Sequence, residues 1–152
     1  MSFRSIFVIA AGAAAVLLTG NGIAAASPQD EVNVADYLIG DTAYFSSTDS
    51  LCSIDKSGNV GCDIQPGVAK WLNMIPVTDL AIDVSFLPAH PTFGVFGPHG
   101  RSDSRDLGQG PVGYGSTIDY AGATCHGGGR GGITCSSKGH SFSYGWSGTQ
   151  TS

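Results

Sequence analysis

A chain of 152 residues with 12 acidic against seven basic side chains, and a formal charge of −5, offers no basic surface for nucleic acid or an anionic membrane. Its length suits one domain, because two would each be too small to bury an adequate core. Four cysteines and 23 glycines, with little helical periodicity between them, point to a disulfide-held, turn-rich β protein.

Arg4 is followed by an apolar stretch over residues 6–18, and Ala24, Ala25 and Ala26 precede Ser27 and Pro28. Basic start, apolar middle and A-x-A site are the three parts of a cleavable signal peptide, here residues 1–26. The apolar run is shorter than the roughly 20 residues a membrane span needs, and Gly20, Asn21 and Gly22 keep it from extending to the alanines. Cleavage removes one basic residue and no acidic one, and no membrane span is expected in the mature chain. Residues 27–44 are expected to form an N-terminal arm, with 32–40 compatible with a short helix or an ordered irregular segment. A single β domain is expected over 45–147, and a flexible tail over 148–152.

Ala43, Tyr44 and Phe45 read as a strand leading into a hairpin. Cys52 and Cys62 are ten positions apart, and a turn centred on Ser57 sets Ile54 opposite Val60 and Cys52 opposite Cys62. Period-two alternation then puts Cys52, Ile54, Val60, Cys62 and Ile64 on an apolar face, with Ser53, Asp55, Gly61 and Asp63 on the other. Residues 68–72 are ambiguous. Over 81–87, Ile82, Val84 and Phe86 alternate with Asp83 and Ser85, which predicts the best mid-chain strand. Repeated Pro and Gly then mark 88–110 as a surface loop. Strand character returns over 116–120 and 140–146.

The second cysteine pair repeats the first. Cys125 and Cys135 are ten apart, the Gly-Gly-Arg-Gly-Gly run at 128–132 supplies a turn, and Ala123, Cys125, Ile133 and Cys135 share a face. Directly opposed cysteines of an antiparallel pair can bridge, so Cys52–Cys62 and Cys125–Cys135 are the expected disulfides, with a crossed pairing open if the hairpins stack. The expected fold is mostly β: a small antiparallel sandwich or partly open barrel with two disulfide-closed hairpins.

The segment Gly113-Tyr114-Gly115-Ser116-Thr117, then Cys125, Gly132-Ile133-Thr134-Cys135 and Gly139-His140-Ser141-Phe142, resembles the C-terminal signature of small uncharacterised exported proteins and lipoproteins of actinobacteria. Phe45-Ser46, Gly58-Asn59-Val60 and Cys62-Asp63-Ile64 resemble their N-terminal half. Ser141 stands where those proteins carry glycine, and no lipid-attachment cysteine is present. The resemblance implies export and a disulfide-held β domain, and brings no activity with it.

Residues 126–129, His-Gly-Gly-Gly, match the oxyanion loop of esterases, but no Gly-x-Ser-x-Gly elbow occurs in the chain and the glycines serve the hairpin turn. His90, His99, His126 and His140 lack the spacing of a metal pair; His140 is the candidate for a structural imidazole bonded to the backbone. Asp103, Asp106 and Asp119 lack calcium-loop spacing. Among Trp71, Tyr114, Phe142, Tyr144 and Trp146, core packing is expected for most, with Trp146 the candidate surface aromatic.

No catalytic residue, metal site or cofactor is assigned. The expected function is an exported, non-enzymatic binding or envelope-associated module, secreted or held at the cell envelope, with a protein or envelope partner and recognition on the loops. The alternative is a small secreted hydrolase using His126 or His140. Mass spectrometry of the secreted form is expected to find Ser27 first; an N-terminus still at Met1 in culture medium would overturn the cleavage site.

Overall fold

The computed structural model describes residues 31–107, 115–128 and 131–152. The signal segment, the first residues of the arm, Tyr114 and the tip of the second turn at Gly129 and Arg130 lie outside them.

The first hairpin forms with the expected register. Strands β2 (Thr42–Ser47), β3 (Ser50–Asp55) and β4 (Val60–Ile64) make an antiparallel meander, in which Ile54 faces Val60 and Cys52 faces Cys62. The turn is locked locally: the Asp55 carboxylate accepts from the amides of Ser57 (2.7 Å) and Asn59 (3.0 Å), and Gly58 takes φ 73°. Strand β7 (Asp79–Ile82) adds to β4, and the short β1 (Leu38–Ile39) and the parallel β8 (Arg105–Asp106) both pair with β2, making a six-stranded sheet. Between β4 and β7 the chain makes a separate ribbon of β5 (Ala69–Trp71) and β6 (Ile75–Val77), turning through Leu72 and Asn73 at positive φ.

The second sheet has five strands in the order β13-β12-β11-β10-β9: β9 (Thr117–Tyr120), β10 (Ala123–Gly127), β11 (Ile133–Ser137), β12 (His140–Tyr144) and β13 (Gln150–Thr151). Cys125 faces Cys135. The sheets pack as a sandwich over one core that includes Phe45, Ile54, Leu80, Ile82, Ile118, Ile133 and Phe142. Both bridges are local, Cys52–Cys62 and Cys125–Cys135, each with Cα atoms 4.1 Å apart and wholly buried. Ser137 Oγ donates to the Gly58 carbonyl at 2.6 Å, fastening the first turn to the second sheet.

The arm, open in sequence between a short helix and an ordered irregular segment, carries a 3-10 turn (Val34–Asp36), and its residue Glu31 bridges to Thr117. Two expectations change. The strand expected over 81–87 begins earlier and stops at Ile82, leaving Val84 half-buried and Phe86 79% exposed. Its partner β4 starts at Val60, opposite Ile82, so no ladder is left beyond that point. The tail expected to fray instead supplies β13: Gln150 pairs with Ser143, and the Ser152 and Ser141 amides and carbonyls exchange hydrogen bonds.

Each disulfide closes a loop of similar size, for which chain entropy gives about 3 kcal/mol. Replacing either pair by alanine is expected to lower Tm by roughly 10 °C in a domain of this size, read by thermal melting of the two double variants. A loss in one variant and none in the other would show that the bridges are not equivalent.

Candidate binding surface

After Ile82 the chain leaves the sheet and does not re-enter it until Arg105. The backbone is tied back once, where Ala81 and His90 exchange both hydrogen bonds (2.8 and 3.0 Å). The loop then folds over the outer face of β3 and β4, the face expected to meet solvent. His99 lies against Gly61 so closely that a Cβ there would come within 2.2 Å of its Nδ1, and the Gly100 amide donates to Asp63 at 2.9 Å.

The anchor beneath the loop is Asp79, only 3% exposed. Its carboxylate accepts from the Thr92 amide at 2.7 Å, the Phe93 amide at 3.2 Å and the Thr92 hydroxyl. His99 Nε2 lies 3.1 Å from Thr92 Oγ1 and 3.6 Å from Asp79 Oδ2. Because the Thr92 proton is committed to Asp79, the ring nitrogen is the donor in its bond to Thr92. Burial acts to raise the Asp79 pKa, but the hydrogen bonds from the Thr92 hydroxyl and amide and the Phe93 amide, with the His99 ring, outweigh it and hold the group below its ordinary 3.8.

Above this anchor, apolar side chains face outward. Phe93 is 68% exposed, and Val95 and Phe96 are each 77% exposed, on two successive turns closed by the Val95 amide to Thr92 and the Gly97 amide to Gly94. Phe86, earlier in the same loop, is 79% exposed. From Val84 to Pro98 the chain has no Asp, Glu, Lys or Arg. Phe96 and His99 line a cavity of about 280 Å³ together with Asp55, Asn59 and Asp83. Asn59 Oδ1 and Asp83 Oδ1 are buried there without a hydrogen-bond donor among the described residues; His90 Nε2 stands 3.5 Å from the latter.

The residues singled out in the sequence scatter. His140 Nε2 lies 3.1 Å from the Ser85 carbonyl, a backbone partner such as a structural imidazole requires, on a half-exposed ring. His126 Nδ1 bonds to Thr117 Oγ1 at 3.0 Å, and Gly127 and Gly128 serve the β10–β11 hairpin. Asp103 pairs with Arg101, and Asp119 accepts from Thr124. Phe142 and Tyr144 are stacked in the core, where burial pushes the Tyr144 pKa upward. Trp71 is partly buried, and Trp146 is 85% exposed. The Asp79, Thr92 and His99 assembly is what the sequence did not reveal, since its members lie 13 and seven positions apart in irregular chain.

No family model matches the chain, and neither a curated protein nor a solved structure matches it.

Because the folded-state pKa of Asp79 is the depressed one, its contribution is complete above the unfolded value and is lost as pH falls through 3.8 toward the folded value. Hydrogen exchange of the Thr92 and Phe93 amides is expected to lose its protection across that window before the core strands do. Asp79→Ala, which leaves three donors unpaired, is expected to cost about 2 kcal/mol.

Proposed function

We propose that this is an exported, non-enzymatic binding module, secreted or held at the cell envelope, whose recognition element is the loop between β7 and β8. One observation carries the reading: four large apolar side chains, Phe86, Phe93, Val95 and Phe96, stand 68–79% exposed within residues 84–98, a stretch without Asp, Glu, Lys or Arg, on a loop that a buried carboxylate pins to a disulfide-held sheet. Exposed aromatics on a fixed support lose little conformational entropy on binding and supply large contact area. Export is supported by the three-part leader, by two buried disulfides and by the resemblance to exported actinobacterial proteins. Among the described residues no helix is long and apolar enough to cross a membrane.

The hydrolase alternative has one observation in its favour, a histidine beside both a hydroxyl and a carboxylate: His99 with Thr92 and Asp79. The direction of the proton speaks against it. Thr92 gives its proton to Asp79, is 6% exposed and is held by its own amide, so the imidazole has no hydroxyl proton to take.

Affinity capture from culture medium and cell-envelope fractions with the wild type and with the Phe86→Ser, Phe93→Ser, Phe96→Ser triple variant tests the proposal. The variant is expected to melt within a few degrees of wild type and to lose the captured partner. A partner retained by the variant would move recognition off the loop. Ester hydrolysis by the wild type that disappears in Thr92→Val would favour the enzyme.

A further inference from the structure

Residues 93–97, Phe-Gly-Val-Phe-Gly, carry no polar side chain. Phe93, Val95 and Phe96 are 68–77% exposed. A Cβ on Gly94 or Gly97 would meet nothing within 4 Å, so this tip of the loop stands clear of the sheet beneath it. Its backbone is nonetheless closed. The Phe93 amide donates to Asp79 at 3.2 Å, the Val95 amide to the Thr92 carbonyl and the Gly97 amide to the Gly94 carbonyl, both at 3.1 Å.

Phe93 itself takes φ 55°, a left-handed conformation that is costly for a bulky side chain and persists only where the surroundings enforce it. The buried Asp79 enforces it through the amide of that same residue, while the ring gains little packing from the protein. A strained residue whose ring is aimed at solvent is explained by a contact made outside the chain.

Charge narrows what that contact is. From Val84 to Pro98 there is no Asp, Glu, Lys or Arg, and the nearest charged residues along the chain are Asp83 and Arg101. Both cations beside the loop are engaged, Arg101 with Asp103 and Lys138 of the second sheet with the Asp83 carbonyl at 3.1 Å. The two loop histidines are turned to partners within the protein, His90 to the Pro88 carbonyl and Asp83, His99 to Thr92 and Asp79.

We propose that this tip is a membrane-contact element that inserts Phe93, Val95 and Phe96 into the interface of a zwitterionic lipid bilayer. The inference rests on the loop being the recognition element and names its partner. Hydrocarbon offers no hydrogen bonds, so a backbone can enter it only with its amides already paired, as those of Phe93, Val95 and Gly97 are. A chain of net charge −5 with no cation on the inserting stretch is repelled by anionic headgroups and is matched by neutral ones. Protein interfaces draw their central contacts from Tyr, Trp and Arg, which add a polar handle to apolar area. The three tip side chains are hydrocarbon alone, which favours lipid over a protein partner.

The test is flotation with phosphatidylcholine vesicles, with phosphatidylglycerol vesicles alongside, using the form that begins at Ser27 so that the apolar leader does not contribute. Half of the protein is expected to be bound at roughly 0.1–1 mM phosphatidylcholine, the strength of a single short apolar anchor. That value should hold between about 0.1 M and 1 M salt, because no charge pairing is involved. Phe93→Asn with Phe96→Ser is expected to weaken binding at least about tenfold, the equivalent of one fully buried phenylalanine. Asparagine tolerates the positive φ and both side chains are exposed, so melting within a few degrees of wild type shows that the lost binding reports the tip. Val95→Asp is expected to weaken binding similarly. Failure of the folded wild type to bind phosphatidylcholine, binding to phosphatidylglycerol alone, or binding indifferent to both variants would overturn the proposal. If vesicles fail while a protein captured from the envelope still depends on the three phenylalanines, loop recognition stands and only its lipid partner falls. Self-association that these variants abolish, without vesicle binding, would assign the tip to a second copy of the chain and overturn the proposal equally.

Discussion

The pairing of cysteines across two antiparallel hairpins is the constraint on which everything else in this molecule rests. Each bridge joins residues that face each other in the ladder, so it holds register as well as chain ends. Register is decisive because side chains alternate with period two: a slip of one position would turn Ile54, Val60 and the cysteines to water and bring Asp55 and Asp63 into the core. With register held, the inner faces of both hairpins are apolar but for Ser50 and Ser137 and can close on one another. Tyr144 reaches from the second sheet to place its hydroxyl 4.0 Å from Cys52 Sγ, and Ser137 reaches the Gly58 carbonyl, so the two stapled units are joined by polar contacts as well as by packing.

That rigid sandwich leaves its two outer faces with opposite chemistry. The β3–β4 face carries Gly61 and Asp63, and these accept a long loop: the glycine by having no side chain where His99 lies, the carboxylate by bonding the Gly100 amide. The loop's inner residues are thus spent on attachment, and its bulky apolar residues have nowhere to go but out. The β10–β12 face carries hydroxyls and is uncovered by any loop among the described residues. One face is dressed in exposed phenylalanine and valine, the other in serine and threonine, and both are supported by strands whose reverse sides are fully buried. A small domain with so few charged side chains, 12% of the chain, presents contact chemistry on both sides where charge would ordinarily keep partners away.

The Asp79 anchor shows how a buried charge is made tolerable. Three hydrogen bonds and an adjacent imidazole surround a carboxylate whose ionised form burial alone would disfavour. Its donors come from the loop itself, so the group is satisfied only when the loop is docked. Loop position and carboxylate ionisation are therefore coupled, the docked loop being favoured while Asp79 is ionised.

What could be read from the sequence alone was local. Cys52–Cys62 and Cys125–Cys135 followed from equal spacings about a turn, and the inward faces from alternation, because hairpin geometry depends on neighbours in the chain. The end of β7 at Ile82 was not legible: the alternation through Phe86 is genuine, but a strand extends only as far as its partner, and β4 begins at Val60. The same holds for β13, whose polar residues carry little strand signal and are ordered by the open edge of β12. The Asp79, Thr92 and His99 cluster joins residues distant in sequence. Only the packing of the loop on β4 could decide it.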